Sequence, residues 1–143
     1  MAEFDINLLM GHTVLVVEDE PDSLEVAVLL LELVGVNVVT ATNGQEGLEQ
    51  ARKHRPLFII SDLSMPVMNG WEMIHQLKND RTLMDIPAVA LTAHAMVADR
   101  NRALAAGFHN YLTKPLRPTT FVNELLNLII DTPEIAKLVE MNG

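Results

Sequence analysis

Asp62 follows the chain's most strand-like apolar stretch, Leu57–Ile60, after a single Ser61, and "LSMPVMNG" comes directly after it. Three more segments end in the same manner. Thr13–Val17 ("TVLVV") runs into Glu18-Asp19-Glu20, Pro87–Leu91 ("PAVAL") into Thr92, and Asn110–Thr113 ("NYLT") into Lys114-Pro115. Carboxylates a few ångströms apart repel one another strongly at intermediate dielectric, so such a cluster asks for a cation. Oxygen-only ligands of high negative charge suit Mg²⁺, which takes one or two carboxylates together with waters and phosphate oxygens. A hydroxyl from Thr92 and an ammonium from Lys114 then complete a site for a phosphoryl group. In such a site Asp62 is the nucleophile, forming an acyl phosphate.

The elements needed to bring these residues together are legible in the pattern. Apolar runs at Thr13–Val17, Asn37–Ala41, Leu57–Ser61, Pro87–Leu91 and Asn110–Thr113 read as strands. Helices are predicted over about 21–34, 45–54, 71–79, 96–106 and 118–130, and the remainder, "DTPEIAKLVEMNG", as a short frayed addition. Pro21 and Pro118 fit first turns, Gly35 and Gly107 fit left-handed caps, and Pro56 stops the second helix. Strands that are apolar throughout rather than alternately have both faces covered, as in a parallel sheet. Right-handed crossovers then give a doubly wound α/β domain of three layers, with five strands and five helices. Ligands bind such sheets beyond the carboxyl ends of the strands, which is where every candidate residue falls. Taken singly, each has an ordinary explanation as a helix cap or turn residue; it is their coincidence on one sheet edge that points to a site.

The 143 residues suffice for one domain with its own core. A formal charge of −9, with no run of Lys or Arg, argues against a nucleic-acid surface. With no cysteine there are no disulfides and no thiolate metal sites. Glu3 and Asp5 stand where a signal peptide would carry positive charge, and no segment reaches the roughly 18 apolar residues of a membrane span. The expectation is a cytoplasmic protein with no membrane partner.

The segments "VLVVEDE", "DLSMPVMNG", "ALTAHA" and "YLTKPL" resemble, in order and spacing, the receiver domain of two-component response regulators, over roughly Thr13 to Ile130. The resemblance implies a flavodoxin-like sheet of order 2-1-3-4-5, with an N-terminal extension at 1–11, the receiver domain at 12–131 and a tail at 132–143. It makes Asp62 the phosphoacceptor. Glu18 (acting mostly through water), Asp19, Asp62 and the backbone carbonyl of Ser64 would hold Mg²⁺ or Mn²⁺. Thr92 becomes the switch hydroxyl, Lys114 the lysine that pairs with the phosphoryl group, and Tyr111 the aromatic that moves inward on activation. The Lys114-Pro115 bond would be cis, aiming the lysine at the site. The implied partners are a histidine kinase or histidine phosphotransfer protein and a downstream protein target, with the chain itself a monomer or weak dimer.

Departures from the family pattern are small. Glu18 stands where many members have Asp, Gly47 and Phe108 where small alanine-like residues are frequent, and His109 at a commonly acidic position. Phe108 would need a pocket. Three other function classes share parts of this pattern. A haloacid-dehalogenase-like phosphatase uses Asp, Thr/Ser and Lys in this order, but its second aspartate would fall at Ser64. A receiver-like docking module independent of phosphorylation needs none of the constellation. A flavin-binding protein would need a Ser/Thr/Gly-rich phosphate loop after the first strand.

Two further features bear on partners. In "SLEVAVLLLELV" Leu29 shares a face with Glu25 and Glu32 and is flanked by Val26 and Leu33, which fits docking of a phosphodonor helix as well as a harmless surface leucine. The five histidines lack metal-ligand spacing. His94, two residues after Thr92, would border the site and tune access of hydrolytic water.

Overall fold

The structure is a computed structural model that describes residues 6–93 and 97–142. Five parallel strands, β1 (Thr13–Val17), β2 (Asn37–Ala41), β3 (Phe58–Asp62), β4 (Ala88–Thr92) and β5 (Asn110–Thr113), form one sheet in the order β2-β1-β3-β4-β5. Among the described residues, α1 (Pro21–Glu32), α2 (Gly44–His54), α3 (Gly70–Lys78), α4 (Val97–Ala106) and α5 (Phe121–Ile129) supply the crossovers and the closing layer, and α6 (Pro133–Asn142) follows.

Every residue of β3 and β4 is buried, as expected for central strands covered on both faces. Within each strand successive side chains still part to opposite layers. Val14, Val16, Phe58, Ile60, Val89 and Leu91 pack with Ala27 and Leu31 of α1 and Phe121, Leu125 and Ile129 of α5. Leu15, Val17, Ile59, Ala88 and Ala90 pack with Leu48 of α2, with Met73, Ile74 and Leu77 of α3, and with Ala103 of α4. The register places Val17 beside Ser61 and Asp62 beside Leu91, so the carboxyl ends of β1, β3 and β4 lie level.

The helix ends follow the local chemistry. Pro21 opens α1, and Gly35 and Gly107 adopt φ values of 84° and 120°. The structure corrects the helix bounds in two places. α5 begins at Phe121, not Pro118, because the Arg117 carbonyl accepts hydrogen bonds from the N–H groups of Thr120 and Phe121 and holds the intervening residues as turns. The expected frayed addition is a sixth helix, α6, of ten residues. Thr132 bonds back through Oγ1 to the Ile129 carbonyl, and Ile135 is buried in the same core cluster as Leu8 and Leu9, the last two residues of a 3₁₀ helix at Ile6–Leu9.

Candidate functional site

The loop after Asp62 is built by its neighbours' chemistry. Asn69 caps α3 and forms a reciprocal capping box with Glu72: Glu72 N–H donates to Asn69 Oδ1 at 2.9 Å and Asn69 N–H to Glu72 Oε1 at 3.2 Å. A Cβ at Gly70 would lie 2.3 Å from the Asp62 carbonyl oxygen, so glycine is required for the helix to start this close to the strand end. Met68 N–H donates to the Pro66 carbonyl at 2.7 Å, which makes a γ-turn centred on Val67 at φ 67°. Gly44 N–H reaches across to the Met68 carbonyl at 2.7 Å and ties this loop to the start of α2.

Glu18, Asp19 and Asp62 converge, each offering a carboxylate oxygen within 4.8 Å of the others'. Glu18 is fully buried, Asp62 and Thr92 nearly so, and Asp19 faces solvent. Lys114 Nζ, brought in by the end of β5, lies 2.5 Å from Glu18 Oε1 and donates to Asp62 Oδ2 at 3.0 Å. Ser64 N–H donates to Asp62 Oδ1 at 3.3 Å. Lys114 N–H donates to the Thr92 carbonyl at 2.7 Å, which locks the two strand ends together, and the Lys114-Pro115 bond is cis.

Burial, joined by a hydrogen bond with Asp62, pushes the Glu18 carboxyl up from 4.5 to about 7. Burial acts on Asp62 in the same sense, but hydrogen bonds from Glu18 and Lys114 outweigh it and hold Asp62 below the ordinary range. Lys114 is raised, its attraction to the Glu18 and Asp62 carboxyl groups outweighing its own desolvation. Burial thus favours the protonated form of Glu18, and its hydrogen bond favours the anionic form of Asp62. Glu18 Oε1 is buried yet receives no well-aligned hydrogen bond, even from the nearby lysine. A divalent cation would satisfy this oxygen and relieve the crowding of the three carboxylates, so the donor set fits Mg²⁺.

Asp62, Ser64, Thr92 and Lys114 line a cleft of about 550 Å³, whose other walls are Leu63, Met65, Asn69, Trp71, Ala93, Asp99 and Arg102. The structure therefore brings together Glu18, Asp19, Asp62, Ser64, Thr92 and Lys114. Tyr111 stands apart in a separate hollow with Asn110, Leu112 and Glu124, its ring under the Arg100 guanidinium at 5.5 Å. His94 lies outside the described residues. Trp71, Asp99 and Arg102 are cleft residues that sequence reasoning missed; on a helix they read as surface, and only the glycine-led start of α3 hints that Trp71 sits beside Asp62. Glu20 occupies the N-cap position of α1 but makes no side-chain cap bond.

The departures from the family pattern have structural reasons. A Cβ at Gly47 would come 2.9 Å from Met73 Sδ and 3.1 Å from Val17 Cγ2, so Met73 fills the space an alanine would use. Phe108 has its pocket, buried edge-on against Trp71 at 6.2 Å. His109 Nε2 meets Asp131 Oδ1 at 2.6 Å.

The response regulator receiver domain profile matches residues 14–126. The polar-differentiation response regulator DivK of Brucella anthropi is 34% identical over 122 residues, covering 85% of this chain and 99% of its own. Chemotaxis response regulator CheY4 of Vibrio cholerae superposes with a TM-score of 0.77 at 31% identity, covering 82% of this chain and 98% of its own. The receiver domain of sensor histidine kinase PA1611 from Pseudomonas aeruginosa, solved with a magnesium ion coordinated in its active site cleft, superposes with a TM-score of 0.75 at 29% identity, covering 83% of this chain and 98% of its own. With the profile matching most of its length and these relatives covering more than four-fifths of it, this chain belongs to the response regulator receiver domains of two-component signalling.

Proposed function

We propose that Asp62 accepts a phosphoryl group from a phosphohistidine on a histidine kinase or histidine phosphotransfer protein, and that the resulting charge switches a protein-binding face. The observation that carries this reading is the place of Asp62: a carboxylate at a strand end, bonded by Lys114 at 3.0 Å and converging with Glu18 and Asp19. An Asp62 oxygen attacks phosphorus, the P–N bond breaks, and the imidazole departs with the electron pair and takes up a proton. Lys114 balances charge on the phosphoryl oxygens, and Thr92, lining the same cleft, is the hydroxyl that turns toward them. Mg²⁺ would be held by Glu18, Asp19, Asp62 and the Ser64 carbonyl; when bound it neutralises charge developing on the transferred group. Ser64, where a phosphatase of the haloacid-dehalogenase kind would need its second acid, offers no acid/base group, which favours a stable acceptor over turnover of an external substrate.

The output is a two-state change. Movement of Thr92 toward the phosphoryl group opens space beside β4, and Tyr111 leaves Arg100 to fill it, remodelling the face of α4, β5 and α5. On the other side, Val26, Leu29 and Leu33 form an exposed apolar stripe on α1, 37%, 58% and 73% accessible, suited to docking a helix that carries the donor histidine. Among the described residues no helix is long and apolar enough to cross a membrane, and the expected setting is the cytoplasm.

The test is intact mass after incubation with acetyl phosphate, with and without Mg²⁺, on the wild type and Asp62→Asn. A single adduct requiring both Mg²⁺ and Asp62 is expected. Absence of any adduct on the folded, metal-supplied protein would leave the phosphorylation-independent docking module as the better account.

A further inference from the structure

Beyond its phosphoryl end the cleft continues between the start of α3 and α4, past Met65 and Asn69 to Trp71, Asp99 and Arg102. Its electrostatics oppose what it has to admit. Asp62 and Asp99 line it, Glu18 and Asp19 adjoin Asp62, and the whole chain carries −9. A phosphoryl dianion is repelled both at a distance and at the mouth.

Two cations line the cleft, Lys114 and Arg102. Lys114 is engaged by Glu18 and Asp62. Arg102 makes no ion pair among the described residues. It is held by an aromatic face instead: its guanidinium carbon lies 4.4 Å from the Trp71 ring centroid, and Trp71 is braced edge-on by buried Phe108 at an interplanar angle of 82°. Stacking fixes a guanidinium in place without neutralising it and leaves its N–H groups free for a planar, bidentate partner. An exposed arginine tethered in this way loses less freedom on meeting an anion than one that swings in solvent.

We propose that Arg102, stacked on Trp71 at the mouth of the cleft, captures the phosphoryl dianion of the donor and positions it for transfer to Asp62. This rests on Asp62 being the acceptor. Arg102 takes no part in bond-making: the Asp62 O–P bond forms as phosphorus parts from the acyl oxygen of a small donor or the imidazole nitrogen of a phosphohistidine, the leaving group keeping the electron pair. What Arg102 recognises is common to both donors, the phosphoryl group itself.

The experiment compares initial rates of adduct formation for the full chain with Mg²⁺, using acetyl phosphate and phosphoimidazole, at low salt and at high salt. Arg102→Gln should react about 3–10-fold more slowly than wild type on both donors at low salt, the lower end of what charge steering supplies. At about 1 M salt, where charges are screened within roughly 3 Å, the two rates should converge. Arg102→Lys, which keeps the charge but not the planar fork, should recover part of the loss, and decay of the adduct should be the same in all. The chain's single tryptophan is Trp71, so its emission and the thermal midpoint report whether the cleft is still built. If Arg102→Gln does not fold, Arg102→Met, which keeps an apolar stem on the ring, removes the charge in its place.

A wild-type rate in the charge-removed variant overturns the proposal. So does a deficit that persists at high salt, one seen with a single donor, or one that lysine does not rescue. Failure of the underlying reading looks different: no adduct on the wild type, or an adduct on Asp62→Asn.

Discussion

Two carboxyls a few ångströms apart are pushed in opposite directions in this protein: at Glu18 burial outweighs the nearby lysine, whereas at Asp62 hydrogen bonds from Glu18 and Lys114 outweigh burial. Glu18, pushed up to about 7 by burial and by its hydrogen bond with Asp62, faces Asp62, Asp19 and Lys114. In the unfolded chain the same group titrates near 4.5. The folded state therefore holds a proton that the unfolded state gives up, and stability from this source is complete below the unfolded value and lost as pH rises through about 7. Asp62, depressed in the fold, has already reached its full contribution in that window. Metal-free protein should lose about 2 kcal/mol between pH 5 and pH 7.5 in urea unfolding, and Glu18→Gln should flatten the profile. A stability that rises over the same range would contradict the proton assignment. Val67 is a second residue with a definite cost, a β-branched side chain at φ 67° that is 77% exposed and so gains little from packing. Val67→Gly should raise the thermal midpoint, by about 0.5–1 kcal/mol in stability, despite glycine's greater freedom when unfolded.

At the scale of elements, α3 and α4 contrast. α3 starts with a complete capping box and buries Gly70, Met73, Ile74 and Leu77. α4 buries only Ala103, and its arginines rest on aromatics of other elements, Arg100 on Tyr111 and Arg102 on Trp71. A helix fastened by surface stacks more than by buried side chains opens at low free-energy cost. Backbone amides of α4 should exchange with deuterium well before those of α3, as seen by mass spectrometry of peptic fragments. Equal protection of the two would mean that α4 is not the yielding element. The same weakness suits the proposed switch, since α4 separates the phosphoryl cleft from the hollow that holds Tyr111.

Across the whole molecule, the segments outside the five strands and helices α1–α5 take part in the core. Leu8, Leu9 and Ile135 are buried in the cluster that covers the α1 and α5 side of the sheet. Ile135→Ala should cost about 2–4 kcal/mol in chemical denaturation, the usual toll of truncating a buried isoleucine. A loss below about 1 kcal/mol would show that this layer is dispensable. Charge is also a property of the whole: at −9 the chain repels anions generally, so under the proposed function a phosphoryl donor would have to reach Asp62 through local cations and metal rather than through the long-range field.

The sequence by itself determined the strands, their parallel arrangement and the convergence of Glu18, Asp62, Thr92 and Lys114, because wholly apolar strands can be covered only from both sides and their carboxyl ends then share one edge. Glycine and proline marked most helix ends because their backbone limits are local. What it left open depends on atoms distant in the chain. Pro118 pointed to a helix start that the Arg117 carbonyl moved to Phe121, and Ile135, Leu138 and Val139 gave α6 an apolar face whose partner, the cluster around Leu9, comes from the opposite end of the chain. Only the tertiary structure decided that Glu18 is pushed toward its protonated form and Asp62 toward its anion, since desolvation and the reach of Lys114 are properties of the packed site. It alone put Arg102 over Trp71, because a stack between α3 and α4 leaves no spacing in the sequence to be read.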